Sequence, residues 1–187
     1  MKFMTKKNYN DNLPGDLNKK QVIDRMLRVD HAGEYGAVRI YEGQLAVLGK
    51  TDKADTIKHM VEQEQEHLST FNDLVIKNRV RPTLMLPIWH IAGYALGVGT
   101  ALMGKRAAMA CTVAVEEVID EHYASQIDSL SEEDDDLCEI FEKFRQEEIE
   151  HKNTGIENEA ELTLGYPFLK GAIKKGSRFA IWLSERI

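Results

Sequence analysis

A glutamate followed some thirty residues later by Glu-x-x-His occurs twice in this chain, as Glu34 with Glu64 and His67 and as Glu116 with Glu148 and His151. The two separations are 30 and 32 residues. The repeat constrains the fold if all six side chains lie on inward faces of helices, and the flanking sequence places them there. Prolines occur only at positions 14, 82, 87 and 167, and the stretches between them have helical, not strand, spacing. Asn18 suits the cap of a first helix that runs to Gly49, with Val22, Met26, Leu27, Val38, Tyr41, Leu45 and Leu48 on its apolar stripe. Thr51 or Asp52 caps a second, with Ile57, Met60, Val61, Leu68, Phe71, Leu74 and Val75 inward. A third spans Ala107 to Leu130, with a stripe through Val113, Ile119, Ile127 and Leu130. A fourth starts in the acidic run Glu132 to Asp136, where negative charge favours a helix N-terminus, and ends near Gly155.

Glu34 falls inside the first stripe, Glu64 and His67 inside the second, Glu116 inside the third, and Glu148 and His151 follow Phe144 in the fourth. A buried carboxylate without a partner costs several kcal/mol, so four of them require a shared counter-charge. Heights agree as well. Glu34 is 15 residues before Gly49 and Glu64 is 13 after Thr51, which at ~1.5 Å per residue puts them within about one turn of each other. The short connections at Gly49-Lys50 and Ser131 to Asp134 make two antiparallel hairpins. The expected fold is therefore all-α, a ferritin-like four-helix bundle of two hairpins with a long apolar crossover over 83–104 and a C-terminal amphipathic helix over 167–187. Residues 1–16 read as a flexible arm and 17–187 as the domain. One Glu from each of two helices and Glu-x-x-His from the other two is the ligand set of ferritin-like di-iron or di-manganese proteins. Four carboxylates offset two divalent cations, the mixed oxygen and imidazole set suits iron or manganese, and the lack of cysteine ligands argues against structural zinc.

Other charged and aromatic residues have plainer readings. Glu62, Glu66, Glu147 and Glu150 read as solvated neighbours. His31 and His122 do not fit the ligand spacing and read as partners of ligands or as surface residues, while His59 and His90 read as structural. Tyr123, seven residues after Glu116, is either core packing or a hydrogen-bond partner of a ligand. Cys111 and Cys138 form no Cys-x-x-Cys pair, which excludes a zinc ribbon, a rubredoxin-like site and a thioredoxin motif and fits a reducing compartment. With 31 acidic against 24 basic residues and a net charge of −7, general nucleic-acid binding is excluded. Met1 to Gly15 has no apolar run of a secretory signal, and no arginine precedes Arg25, against an uncleaved mitochondrial presequence.

Thr83 to Gly104 is 22 residues without a formal charge, long enough to cross a bilayer. One crossing would put Glu64 and Glu116 on opposite sides of the membrane. Pro87, Gly93, Gly97, Gly99 and Gly104 are expected to break the segment, which reads as an interfacial crossover or a purely internal one. From Pro167 onward Lys170, Lys174, Lys175, Arg178 and Arg186 stand against Glu185 alone, a net +4. With Phe168, Phe179 and Trp182, this tail suits an anionic lipid surface or a cap on the bundle.

The run Arg28-Val-Asp-His-Ala-Gly-Glu34-Tyr-Gly-Ala, together with Ala110-Cys-Thr-Val-Ala-Val-Glu116-Glu117, the two Glu-x-x-His pairs and Leu183-Ser-Glu-Arg186, resembles the demethoxyubiquinone hydroxylase family of ubiquinone biosynthesis over Gln21 to Ile187. The resemblance implies a membrane-associated di-iron monooxygenase that uses O2 to hydroxylate a polyprenyl demethoxybenzoquinol. It implies two iron ions held by Glu34, Glu64, His67, Glu116, Glu148 and His151, with electrons from the quinol or from a nicotinamide such as NADH. Arg25 and Arg186 match positions that could contact this donor, and Trp182 stands where the family often has tyrosine. Implied too are a peripheral site on the cytoplasmic face of a bacterial membrane, or on the mitochondrial inner membrane for a trimmed organellar protein, and a homo-oligomer or biosynthetic complex. The other readings are a non-catalytic quinone-binding membrane protein with a structural di-metal cluster, and a ferritin-like peroxidase or ferroxidase.

Overall fold

The structure is a computed structural model and describes residues 13–130 and 132–187. The arm expected over 1–16 lies outside the described residues except for a turn at 13–16, as does Ser131 of the second connection. Six helices follow in order: α1 (Lys19–Leu48), α2 (Ala54–Asn78), α3 (Leu86–Leu102), α4 (Lys105–Ile127), α5 (Asp135–Glu157) and α6 (Tyr166–Ser184). No strand occurs among the described residues.

Helix α1 starts as expected. The Asn18 side chain accepts from Gln21 N, and the Gln21 side chain accepts from Asn18 N, both at 2.9 Å, a reciprocal capping box. Helix α2 starts later than expected: Lys53 occupies the cap position and Thr51 instead donates its hydroxyl to Leu48 O. It ends with Arg79 in the left-handed region (φ 54°), which lets Val80 N reach back to Val75 O.

The hairpins α1–α2 and α4–α5 form the bundle, and their packing leaves two apolar halves. One half gathers Leu48, Ile57, Met60, Met109 and Val113 around Tyr41. The other gathers Leu27, Phe71, Val75, Leu130, Phe141 and Phe144 around Tyr123. The α1–α2 turn therefore sits at the same end as the start of α4, so the two hairpins run in opposite senses. Between the halves lie the six inward polar side chains.

Three expectations are corrected by the packing. Helix α4 was read as a one-sided stripe, but Ala107 through Glu116 are all buried, because α6 and α3 cover the faces that α5 and α1 leave free. A helix apolar on every side loses its amphipathic period. Gly155 does not end α5, which continues to Glu157. It lies flat against α4, where a Cβ would stand 2.7 Å from Val113 Cγ2 and 3.0 Å from Met109 O. Within the apolar crossover α3 is likewise unbroken from Leu86 to Leu102, whereas Gly104, at φ 119°, does separate α3 from α4 as expected. Pro87 sits in the first turn of α3, where a missing N–H costs nothing, and Gly93 and Gly97 face α1 at backbone contact. No helix among the described residues is long and apolar enough to cross a membrane.

The basic tail takes the second of its two expected roles, a cap on the bundle. Lys170 and Lys174 donate to Glu117 at 2.5 and 2.8 Å, and Lys174 and Arg178 to Glu121 at 3.2 and 2.8 Å. These pairs bind α6 along α4 and set the two negative charges of Glu117 and Glu121 against the tail's net +4, offsetting half of it.

Candidate metal centre

Each of the six side chains is at most 2% exposed. His67 turns Nδ1 toward Glu148 Oε1 at 3.2 Å, Glu34 Oε2 at 3.4 Å and Glu64 Oε2 at 3.9 Å. His151 turns Nδ1 toward Glu64 Oε1 and Glu148 Oε2, both at 3.1 Å. The donor atoms fall into two sets, Glu34, Glu64, His67 and Glu148, and Glu64, Glu116, Glu148 and His151, each within 4.8 Å of one another. Glu64 and Glu148 belong to both, as bridging carboxylates would.

The donor set fits a pair of divalent cations on its own evidence. Both oxygens of Glu64, Oε2 of Glu34, Oε2 of Glu116, Oε1 of Glu148 and Nδ1 of His67 are buried without a hydrogen bond. Buried polar atoms are normally satisfied, so a group of unpartnered donor atoms gathered in this way is compatible with bound cations. The electrostatics say the same. Burial first, and then the Glu148 charge, push the Glu64 and Glu116 carboxyls well above the usual range. At Glu148 burial is outweighed by His151 and His67, which hold it down at about 2. Burial also opposes charge on His67, yet the carboxylates of Glu148 and Glu34 raise it to about 12. Without metal, protons do the neutralising.

Two tyrosines brace the carboxylates across the hairpins. Tyr123 Oη donates to Glu34 Oε1, and Tyr41 Oη donates to Glu116 Oε1, both at 2.5 Å. Burial first, then the neighbouring carboxylates, raise both phenols well above 10, so they stay donors. Tyr41 was missed as anything but core. Its signal was available, because it follows Glu34 by the same seven residues that separate Tyr123 from Glu116.

The outward nitrogens of the two histidines are also held. His67 Nε2 lies 2.6 Å from Glu147 Oε2, and His151 Nε2 lies 3.0 Å from Gln63 Oε1. Glu147 was read as solvated; its side chain is only 24% exposed and reaches across from α5 to α2. Of the remaining histidines, His31 bonds Asn72 and His90 bonds Tyr35, while His59 is exposed. His122 faces Asp30 at 3.5 Å and Gln126, not any of the six. Burial is the main cause lifting Asp30 to about 6, against the pull of His122.

Beside the cluster lies a cleft of about 590 Å³ between α1, α3, α4 and α6, lined almost wholly by apolar groups. Gly33 and Val115, each one residue before a cluster glutamate, line it together with Trp89, Leu96 and Phe179. Trp89 Nε1 donates to Ser184 Oγ at 2.9 Å and ties α3 to α6 across it. Arg25 lines a separate hollow of about 180 Å³ with His122, Gln126 and Glu185. Arg186 turns back to its own helix, bonding Trp182 O and Glu185 and stacking over the Trp182 ring at 4.6 Å.

A family profile described as Ubiquinone biosynthesis protein COQ7 matches residues 21–184. The chain is 52% identical over 183 residues to the 3-demethoxyubiquinol 3-hydroxylase of Rhodospirillum rubrum, covering 97% of this chain and 86% of that one. It is 53% identical over 172 residues to the mitochondrial NADPH-dependent 3-demethoxyubiquinone 3-hydroxylase of Homo sapiens, covering 90% and 79%. It is 41% identical over 182 residues to the mitochondrial 5-demethoxyubiquinone hydroxylase of Saccharomyces cerevisiae, covering 88% and 78%. A profile that spans nearly the whole chain, with relatives of this similarity along most of their own length, means that the chain belongs to the COQ7 family of ubiquinone biosynthesis proteins.

Proposed function

We propose that this chain hydroxylates the open ring position of a polyprenyl demethoxybenzoquinol, with O2 as co-substrate and two iron ions held by Glu34, Glu64, His67, Glu116, Glu148 and His151. The observation that carries this reading is the adjacency of a buried cluster with unpartnered donor atoms to an apolar cleft whose wall is one residue away from two of its glutamates. Bound iron would supply oxygen activation. One oxygen atom enters the ring and the other leaves as water, taking two electrons and two protons from a donor.

The chain's own residues hold the stage for that chemistry. Tyr41 and Tyr123 hold Glu116 and Glu34 in place, each donating its hydroxyl to one carboxylate oxygen. Glu147 and Gln63 fix the histidine rings so that Nδ1 faces inward. The lining of the cleft keeps water from the ring and gives the prenyl tail an apolar path outward between α3 and α6. The outer faces of those helices expose Ile88, Ile91, Leu102, Phe168, Phe179 and Trp182, which supports seating on a lipid surface without crossing it. Because Lys170, Lys174 and Arg178 are already paired, attachment rests on apolar burial, and binding to neutral vesicles is expected to persist at about 1 M salt, where charge attraction is screened. The donor is a reduced nicotinamide, with NADPH the form named in the human relative's description. The hollow at Arg25 is below the ~300 Å³ of a typical ligand cleft, so it would receive only part of such a molecule.

The test is turnover of a short-tailed demethoxyquinol under ¹⁸O2 by purified, iron-loaded protein. The product should carry one ¹⁸O atom, and Glu148→Ala should remain folded while losing both iron and turnover. Unchanged quinol in the presence of two bound irons and a competent reductant would overturn the assignment.

A further inference from the structure

The two halves of the cluster are copies in their inward atoms but not in what stands behind them. In each hairpin the residue immediately before Glu-x-x-His reaches across to the histidine of the other hairpin: Gln63 on α2 to His151 on α5, and Glu147 on α5 to His67 on α2. The two contacts have the same topology and different chemistry. His67 Nε2 meets a carboxylate at 2.6 Å, whereas His151 Nε2 meets an amide oxygen at 3.0 Å. The surroundings deepen the contrast. Phe144 stacks on the His67 ring at 4.0 Å between centroids, while the nearest ring to His151 is Tyr41, edge-on at 6.1 Å. Behind Glu147 stands Lys143, 3.7 Å away, which keeps that carboxylate in place from the solvent side.

A histidine that offers Nδ1 to a metal must carry its proton on Nε2, and the acceptor of that proton sets how much electron density the ring can give. A carboxylate acceptor raises ligand basicity above what an amide oxygen does, and a fixed ring loses less freedom when metal arrives. We propose that Glu147 and Gln63 are positioning residues that make the two metal positions unequal, so that the position on Glu34 and His67 binds more tightly and fills first. This rests on the metal-centre reading above.

The experiment is an anaerobic titration of the metal-free full chain with Co(II), followed by absorption and calorimetry. The wild type should take up two equivalents in two resolved steps, with His67→Ala abolishing the first and His151→Ala the second. Glu147→Gln should weaken the first step by about tenfold or more, within the range seen when such partners are removed. Gln63→Glu should strengthen the second by a similar factor and bring the steps together. Glu150→Gln, an exposed change of the same charge on the same helix, should move neither, and melting curves should show all variants folded. Two bound equivalents with steps unaltered by Glu147→Gln and Gln63→Glu would overturn the inference while leaving the metal centre standing. A shift equally large in Glu150→Gln would overturn it as well, by showing a diffuse charge effect. No Co(II) uptake at all would sink both readings.

Discussion

The helices that cover the two hairpins grip them by different means. Helix α3 lies on α1 with backbone against backbone: a Cβ on Gly93 would stand 2.9 Å from Gly36 O, and one on Gly97 or Gly43 would overlap the facing main chain of Ile40 or Tyr94. Helix α6 lies on α4 through long side chains, with Lys170, Lys174 and Arg178 reaching Glu117 and Glu121. Glycine contacts have one geometry and tolerate no displacement. Ion pairs that are partly exposed hold over a range of separations and weaken with salt. The cleft between these helices thus has one fixed wall and one yielding wall, which suits the entry of a long-tailed ligand past α6.

The sharpest way to break this contrast is Gly97→Ala. Overlap with Ile40 O must push α3 off α1, at about 3 kcal/mol, a drop of roughly 10 °C in melting temperature for a chain of this size. Gly171→Ala on α6, where a Cβ meets nothing within 4 Å, should instead gain up to about 1 kcal/mol from helix propensity. Equal losses from both substitutions would mean that the two covers do not differ.

Beneath the covers each hairpin gives a tyrosine to a glutamate of the other, and Tyr41→Phe and Tyr123→Phe ask whether these two bonds are alike. Each removes a hydrogen bond to a buried carboxylate, worth about 1.5–3 kcal/mol, and thermal melts of the metal-loaded protein should show similar losses. A several-fold difference between the two would extend the asymmetry of the covers into the bundle.

Smaller effects belong to α6. Glu117→Gln removes the negative charge and one of the two oxygens that face Lys170 and Lys174 and should cost below about 1 kcal/mol, with most of the loss gone at high salt. Acid should act in the same direction. Burial resists ionisation of Glu117, but Lys170 and Lys174 prevail and hold its carboxyl below the ordinary value of 4.5, while Arg178 leads the lowering at Glu121. A carboxyl lowered by folding contributes stability above its unfolded pKa, and that contribution disappears as pH falls through the folded value. Hydrogen exchange, corrected for intrinsic rate, should therefore show α6 loosening below about pH 4.5 before α3, whose glycine contacts contain no titrating group. Simultaneous loosening would remove the distinction.

Much of this was legible from residue spacing. The Asn18 cap, the two hairpins and the inward face shared by Glu34, Glu64, His67, Glu116, Glu148 and His151 follow from helical periodicity and the cost of burying charge. What failed to show did so for physical reasons. Helix α4 had no readable stripe because it is enclosed on all sides, and a glycine such as Gly155 or Gly97 looks like a breaker in sequence when its purpose is close approach of another helix. The partners behind the histidines were hidden because an acidic residue on a charged helix gives no local sign of crossing to a neighbour. Only the matched position of Gln63 and Glu147, each one residue ahead of its motif, could have pointed to them.

The polar waist between the two apolar halves also bears on how long the protein survives in a cell. A metal ion that binds only the folded chain adds to its stability in proportion to the logarithm of its free concentration over its dissociation constant. The proposed ion positions lie where all four bundle helices meet, so a chain short of iron, though still folded, has a larger transiently open fraction there. Proteolysis of transiently opened chains follows the population of that open form. Iron scarcity would then shorten the life of a chain that is still folded, and the supply of metal would bear on the amount of catalyst as well as on its activity.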